Sequence, residues 1–386
     1  MSRLELRADV AVVGAGSFGA WIAWHLSKAG KQVLLLDGYG PGNARASSGG
    51  ESRIIRMGYG PRANYTRWSI RSMEIWRSWI ASIDETLYHP AGVLWIARGK
   101  EPFALQTQAT LEACGIDFER LDGDALRRRF PQFVFEETDW GIHEPDAGAL
   151  LARRSVQTLV RALCRLGVRY EQRQVRFDNG RVTTNLGERV AAGHFVFACG
   201  PWLPKLFPDL LSGVIQTTRQ EVFFFGAPAG DSMFQAPRMP CWIDIASRFY
   251  GLPDLENRGF KIADDTHGLV IDPDIANREA GAESAAGARR YLDTRFPALS
   301  GAPLVEARVC QYENTGTGDY LLDQHPEYPT VWLAGGGSGH GFKHGPAVGE
   351  YVAGRLAGLI APEKRFSLAS SQQAGQDATR SSFYRQ

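Results

Sequence analysis

The sequence predicts an α/β (α+β) chain, a Rossmann-like nucleotide-binding domain with an inserted antiparallel β-rich domain. Three observations carry this. The apolar run at 10–13 opens into Gly14-Ala15-Gly16-Ser17-Phe18-Gly19 and then into a helical pattern. A second apolar run, 32–36, ends on Asp37, eighteen residues after Gly19. A strand, a glycine loop and a helix then return late in the chain, at 330–334, 335–337 and 347–359, after a β-rich stretch at 214–312.

The first two observations form a complete βαβ fingerprint for a dinucleotide. Gly14 permits the tight turn, Gly16 lets backbone approach a pyrophosphate, and Gly19 lets the helix pack close to the strand. The helix N-terminus offers free N–H groups to phosphate. Asp37 can accept from ribose hydroxyls.

Residues 38–61, rich in Gly and Ser, read as a long ordered loop around a ligand. Periodicity predicts a helix over 63–85, and 87–97 reads as a strand. Residues 101–130 alternate helix with short strands. A helix is expected over 149–166 with Asp146 as its cap, followed by strands at 169–176, 181–185 and 194–198. One helix near 282–294 interrupts the β-rich stretch. The expected division is a cofactor domain from 1–85, 146–213 and 314–366, a substrate domain from 86–145 and 214–313, and a mobile polar tail from 367–386.

Bulk properties exclude several classes. The 386 residues suffice for two domains. With 43 basic and 42 acidic residues the net charge is +1, and no basic stripe invites nucleic acid. No apolar run reaches the ~18 residues of a membrane helix. The first strand begins within about eight residues of Met1, which leaves no room for a secretory signal. The five cysteines (Cys114, Cys164, Cys199, Cys241 and Cys310) are widely spaced without C-x-x-C, so neither a metal site nor a disulfide framework is expected. These features predict a reduced, cytoplasmic protein. A monomer or weak homo-oligomer is expected.

NAD and FAD share the first fingerprint. The run Gly335-Gly336-Gly337-Ser338-Gly339-His340-Gly341-Phe342-Lys343 brings several N–H groups to one ligand, which suits the electron-rich edge of a flavin. Here the chain resembles the monomeric sarcosine oxidase group of amino-acid and amine oxidases, within the D-amino-acid oxidase type of flavoproteins. The resemblance spans about residues 8–360. It rests on the fingerprint, Ser52-Arg53-Ile54-Ile55-Arg56, Phe249-Tyr250-Gly251 with Lys261 beyond, Val309-Cys310-Gln311-Tyr312, Asp323-Gln324-His325-Pro326, and Gly339-His340-Gly341-Phe342-Lys343.

The resemblance implies FAD, with Cys310 forming a thioether to the flavin. It implies that Lys261 lies over the ring and promotes reaction with O2, as a cation stabilises superoxide as it forms. Arg56 and Lys343 match the pair that holds the substrate carboxylate, and Arg53 the arginine beside the ring. Tyr250 is expected to line the substrate pocket and His340 to shape the flavin loop. Cofactor contacts are implied first at Gly14, Gly16, Ser17, Phe18, Gly19 and Asp37. Further contacts are implied at Ser47, Ser48, Arg53, Cys199, Gly200 and Trp202, and last at Cys310, Gly337, Gly339, His340, Gly341, Phe342 and Lys343.

The chain departs from that pattern in three places, four residues in all. Ser48 and Gly49 stand in place of a histidine pair, Asp265 in place of a histidine four residues after Lys261, and Cys241 in place of a pocket methionine. The first enlarges the site and the second adds negative charge favouring a second cation. The expected substrate is therefore a bulkier secondary amino acid (N-methyl, cyclic or N-carboxyalkyl) oxidised at its C–N bond, with O2 reduced to hydrogen peroxide. The alternatives are a flavin dehydrogenase using another acceptor, an NAD-dependent dehydrogenase, and a flavin-binding subunit without catalysis.

Overall fold

The computed structural model describes residues 5–228 and 230–374. Five parallel strands form the heart of one eight-stranded sheet. Their spatial order is Arg169–Gln172, Val33–Asp37, Glu5–Val13, Arg189–Phe197 and Val331–Gly335. Leu321–Gln324 closes one edge antiparallel, and a hairpin of Val175–Asp178 and Arg181–Thr184 joins the start of Arg189–Phe197. Both faces are covered, as a parallel sheet requires. Along the first strand Val10 and Val12 face Trp21 and Ile22 of the helix Ser17–Lys28. Ala11 and Val13 face Leu203 and Phe207 on the other side.

A second eight-stranded sheet runs Leu304–Thr315, Ile215–Phe225, Phe260–Asp264, Phe249–Leu252, Cys241–Asp244, Val93–Arg98, Asp139–Glu144 and Glu119–Leu121. Every neighbour is antiparallel except the pair Cys241–Asp244 and Val93–Arg98. Alternation along these strands separates two duties. Phe260 and Ile262 pack with Trp242 and Leu292 under the helix Ala282–Arg295. Lys261, one step out of phase, points to the opposite face. Arg295 secures the helix through buried ion pairs to Asp139 at 2.9 Å and Asp244 at 2.5 Å.

A small third sheet sets Gly148–Leu150 between Arg53–Ile55 and Tyr88–His89. It corrects the expected helix start. The helix begins at Ala152, not at 149, because Gly148–Leu150 is committed to strand pairing. Asp146 is not its cap. Its first N–H groups instead meet carbonyls of the 38–61 loop, Ala152 to Glu51 at 2.8 Å and Arg153 to Gly50 at 3.0 Å. The expected single strand over 87–97 is two strands in different sheets, Tyr88–His89 and Val93–Arg98, broken by Pro90, which lacks an N–H. The helix expected from 347 starts at Gly345, with Pro346 in its first turn, and the helix from residue 63 ends at Ile80.

The tail is also corrected in part. Ser367 caps the short helix Leu368–Gln373. Leu368 is buried, and its N–H donates to Asp323 Oδ2 at 2.9 Å. Residues 375–386 lie outside the described residues. Among the described residues no helix is long and apolar enough to cross a membrane, and no cluster could hold a metal.

Candidate active site

The carboxyl ends of the parallel strands open into a cavity of about 330 Å³. This is where an open α/β sheet offers a crevice. Gly14, with φ +105°, makes the turn out of the first strand, and a Cβ there would lie 2.2 Å from Ala198 O. Gly19 does not line the cavity. It seats the helix, since a Cβ there would lie 1.8 Å from Gly14 O. Gly16 occupies the helix cap without a side chain, so the first-turn N–H groups face the cavity.

Asp37 holds this end together. Its Oδ2 accepts from Ala15 N, and its Oδ1 from Tyr39 N and Gly40 N, each at 2.8 Å. Burial raises its pKa. With three donors on four lone-pair sites, Oδ2 retains one acceptor position. The same cavity collects Ser17, Phe18, Ser47, Ser48, Arg53, Cys199, Gly200, Trp202, Gly337, Gly339, Gly341 and Phe342.

Two smaller cavities adjoin it, and Arg53 and Tyr312 line all three. One, of about 70 Å³, brings together Arg56, Lys343, Lys261, Tyr250, His340 and Asp265. The other holds Cys310 with Lys261 and Tyr250. Arg53 donates through Nη2 to Ser47 O at 2.6 Å and to Cys310 Sγ at 3.4 Å. Lys261 Nζ donates to Ser52 O at 3.0 Å, so the 52–53 segment anchors both cations. Burial first, then the charge of Arg53, brings the Lys261 ammonium down to about 7.

Arg56 is sandwiched with its guanidinium carbon 4.4 Å from the Tyr59 ring and 4.5 Å from the Trp95 ring. It also donates to Gly58 O. Lys343 comes from the turn Phe342–His344 at the other end of the chain. Its Nζ donates to Tyr59 Oη at 2.6 Å and to His340 O at 2.9 Å. Burial, reinforced by Arg56, holds the Lys343 ammonium well below its ordinary value. An anion placed between these cations reverses that shift. Tyr250 lies 3.5 Å from Tyr312 through their hydroxyls, and burial with Asp265 nearby pushes it up to about 12. Tyr312 donates to Asp265 Oδ1 at 3.4 Å.

Sequence reading missed three residues here. Glu144 fixes the loop after Arg56, accepting from Met57 N at 2.6 Å, Gly58 N at 3.1 Å and Trp95 Nε1 at 2.7 Å. Tyr59 is the surface shared by Arg56 and Lys343. Glu313 lines the large cavity with Oε2 unpartnered among the described residues, and burial pushes its carboxyl up to about 7. A glutamate within a buried strand segment was the available signal for Glu313. Nothing local marked the other two.

Residues 9–355 match the model of a family described as DAO, FAD dependent oxidoreductase. The monomeric sarcosine oxidase of Arthrobacter sp. (strain TE1826) is 31% identical over 356 residues, covering 89% of this chain and 91% of that one. An N-methyl-L-tryptophan oxidase of Salmonella arizonae is 26% identical over 90% and 94% of the two chains. Among solved structures, the deglycating fructosamine oxidase of Aspergillus fumigatus (Amadoriase II) superposes with a TM-score of 0.80 at 22% identity, covering 98% of this chain and 93% of that one.

Proposed function

The chain belongs to the FAD-dependent oxidoreductase family described as DAO, and from that membership we propose that it oxidises the C–N bond of a secondary amino acid, N-substituted or cyclic, to an imine, with O2 reduced to hydrogen peroxide. The observation that carries this reading is the single small cavity in which Arg56, Lys343 and Lys261 converge beside the nucleotide cleft. Sarcosine oxidases and an N-methyl-L-tryptophan oxidase among the relatives support it.

The cleft residues fit FAD. The side-chain-free Gly14–Gly16 turn, the open acceptor position on Asp37 and the glycines at 337, 339 and 341 offer room, N–H donors and a ribose partner around the cleft. Ser47, Ser48, Cys199, Gly200 and Trp202 line the same cleft. Cys310 would hold the flavin by a thioether, with Arg53 fixing the sulfur. FAD supplies the two-electron acceptor between substrate and O2.

The protein's own contribution is position and charge. Arg56 and Lys343 receive the carboxylate, and the Glu144-bound loop keeps Arg56 in place. Tyr250 and Tyr312 wall the cavity. Lys261, buried and held by Ser52 O, supplies positive charge to the oxygen reaction. Asp265 in the same cavity favours a substrate bearing a second cation, such as a basic N-substituted amino acid. The free cysteines support a reducing, cytoplasmic location.

The test is a peroxide assay over sarcosine, N-methyl, cyclic and N-carboxyalkyl amino acids. Peroxide with one of the bulkier compounds supports the reading. Sarcosine as the best substrate overturns the preference for bulk, and electron transfer only to artificial acceptors overturns the oxidase assignment.

A further inference from the structure

Glu313 is a buried carboxyl whose hydrogen bonding is incomplete. It stands 9% exposed in the strand Leu304–Thr315, and its Oε2 has no partner among the described residues. The Gly337 N–H acts on the carboxyl, and among the described residues no cation does. Gln311, two residues earlier, lines the same cavity and differs. It is fully buried, but its Nε2 donates to Arg45 O at 2.6 Å and its Oε1 accepts from Arg278 Nη2 at 3.2 Å. A buried acceptor without a donor is costly, so the free oxygen of Glu313 points to a ligand that supplies one.

Two glycines shape the space around the carboxyl. A Cβ on Gly200 would lie 3.2 Å from Oε2, and one on Gly337 would lie 3.0 Å from Oε1. Both glycines line the large cavity with Glu313. The sheet orders what meets them. Asp37, the Gly14–Gly16 turn, Gly200 and Gly337 stand at the carboxyl ends of four neighbouring parallel strands, in that spatial order, with ~4.8 Å between strands. Asp37 offers its open acceptor position to a ribose, and the Gly14–Gly16 turn takes a diphosphate. In the reading above, Arg53 and Cys310 stand at the flavin ring. Glu313 lies three residues from Cys310 on one strand, between the diphosphate turn and the ring end. The part of FAD between diphosphate and ring is the ribityl chain, which carries hydroxyls.

We propose that Glu313 is a cofactor-binding residue whose free oxygen accepts a hydrogen bond from a ribityl hydroxyl of FAD. The proposal rests on FAD occupying the cleft. Chemistry separates this contact from one with the diphosphate. An ionised carboxyl and a diphosphate are both acceptors and repel each other. A hydroxyl supplies the missing O–H, and it pairs with the carboxylate and with the carboxylic acid alike. Burial raises the carboxyl to about 7, and a donated O–H draws it back down. Gly200 and Gly337 keep the approach open, since a side chain at either would crowd the carboxyl.

Calorimetric titration of the full FAD-free chain tests this, in a Cys310→Ala background so that every ligand binds reversibly. The ligands are FAD, an FAD analogue with an unsubstituted five-carbon chain in place of the ribityl group, and ADP. Glu313→Leu should weaken FAD by about 10-fold or more, the worth of a buried hydrogen bond to a carboxyl. The same variant should bind the analogue and ADP within about 2-fold of its parent, because neither offers a ribityl hydroxyl. Glu313→Gln keeps an acceptor and should hold FAD within about 3-fold. Glu313→Met, closer in shape to glutamate, should repeat the leucine pattern, so the test survives a leucine variant that does not fold. Equal losses for FAD and the analogue overturn the hydroxyl contact, since a merely structural role weakens both. A loss for ADP as large as that for FAD puts Glu313 at the diphosphate and overturns it too. A Cys310→Ala parent that binds no FAD overturns the reading of the cleft itself, and the proposal falls with it.

Discussion

Arg53 donates to Cys310 Sγ at 3.4 Å although 257 residues separate the two. The contact joins the short strand Arg53–Ile55 to Leu304–Thr315, the longest strand of the second sheet, at the seam where the cavities meet. The sulfur is therefore held in one orientation beside a permanent positive charge.

Cys310→Ala should convert tethered flavin into dissociable flavin. After acid precipitation the yellow colour is expected in the pellet for wild type and in the supernatant for the variant. Colour in the supernatant for both removes the thioether.

Lys261→Met should slow reoxidation of the reduced enzyme by O2 by roughly 100-fold or more and leave anaerobic reduction by substrate within a few-fold. The ammonium's value of about 7 gives the pH dependence its sign. Below about 7 the cation is present and reoxidation is fast. As pH rises through that value the cation is lost and the rate falls. Stopped-flow reoxidation across pH checks both, and a wild-type rate that climbs with pH counts against the role.

Arg56→Met or Lys343→Met should raise KM for amino-acid substrates by about 10- to 100-fold, the worth of a hydrogen bond between charged groups. The matching amine without a carboxylate should lose far less in the Arg56→Met variant. Equal losses for both compounds mean that Arg56 does not read the carboxylate.

Glu313 yields a stability prediction. Its carboxyl stands at about 7 in the folded chain, above the ordinary 4.5. The folded state thus holds the proton more tightly, and its contribution is full below about 4.5 and lost as pH rises through about 7. Glu313→Gln does not titrate. The melting temperature of the FAD-free variant, relative to wild type, should rise steadily between pH 4.5 and 7.5, and a constant difference refutes the shifted carboxyl.

Asp265→Asn should reduce kcat/KM for N-substituted amino acids with a second cationic group by about 3- to 10-fold relative to neutral ones, the range of an exposed to half-buried ion pair. Matched pairs of basic and neutral N-methyl amino acids measure it.

The cofactor end of the molecule was legible in the sequence because its signals are local. Gly14, Gly16, Gly19 and Asp37 sit within one βαβ unit, and each is demanded by backbone geometry within a few residues. The apolar runs of the central parallel strands were equally plain, but the expected strand 169–176 is two, Arg169–Gln172 and Val175–Asp178, and its polar residues carry no apolar run. The strand Gly148–Leu150 was not, because three residues carry no period, and only pairing with Arg53–Ile55 and Tyr88–His89 makes them a strand. The same competition displaced the helix start. Glu144 and Tyr59 were invisible for a related reason: their partners lie 49 and 284 residues away in Trp95 and Lys343. Leu368 looked like part of a polar tail because one apolar residue among serines and glutamines says nothing of Asp323 beneath it.

The walls of the nucleotide cleft come from 13–53, 173–206, 274, 311–313 and 334–342. A ribosome delivers them in that order, N-terminus first. Until the last of these segments has emerged, the Gly14 turn has no opposing loop, and Arg56 has no Lys343 across the Tyr59 ring. Such distant closures come late in folding. Cofactor loading is thereby deferred to the finished polypeptide, and a chain truncated in synthesis is left without a complete cleft for FAD.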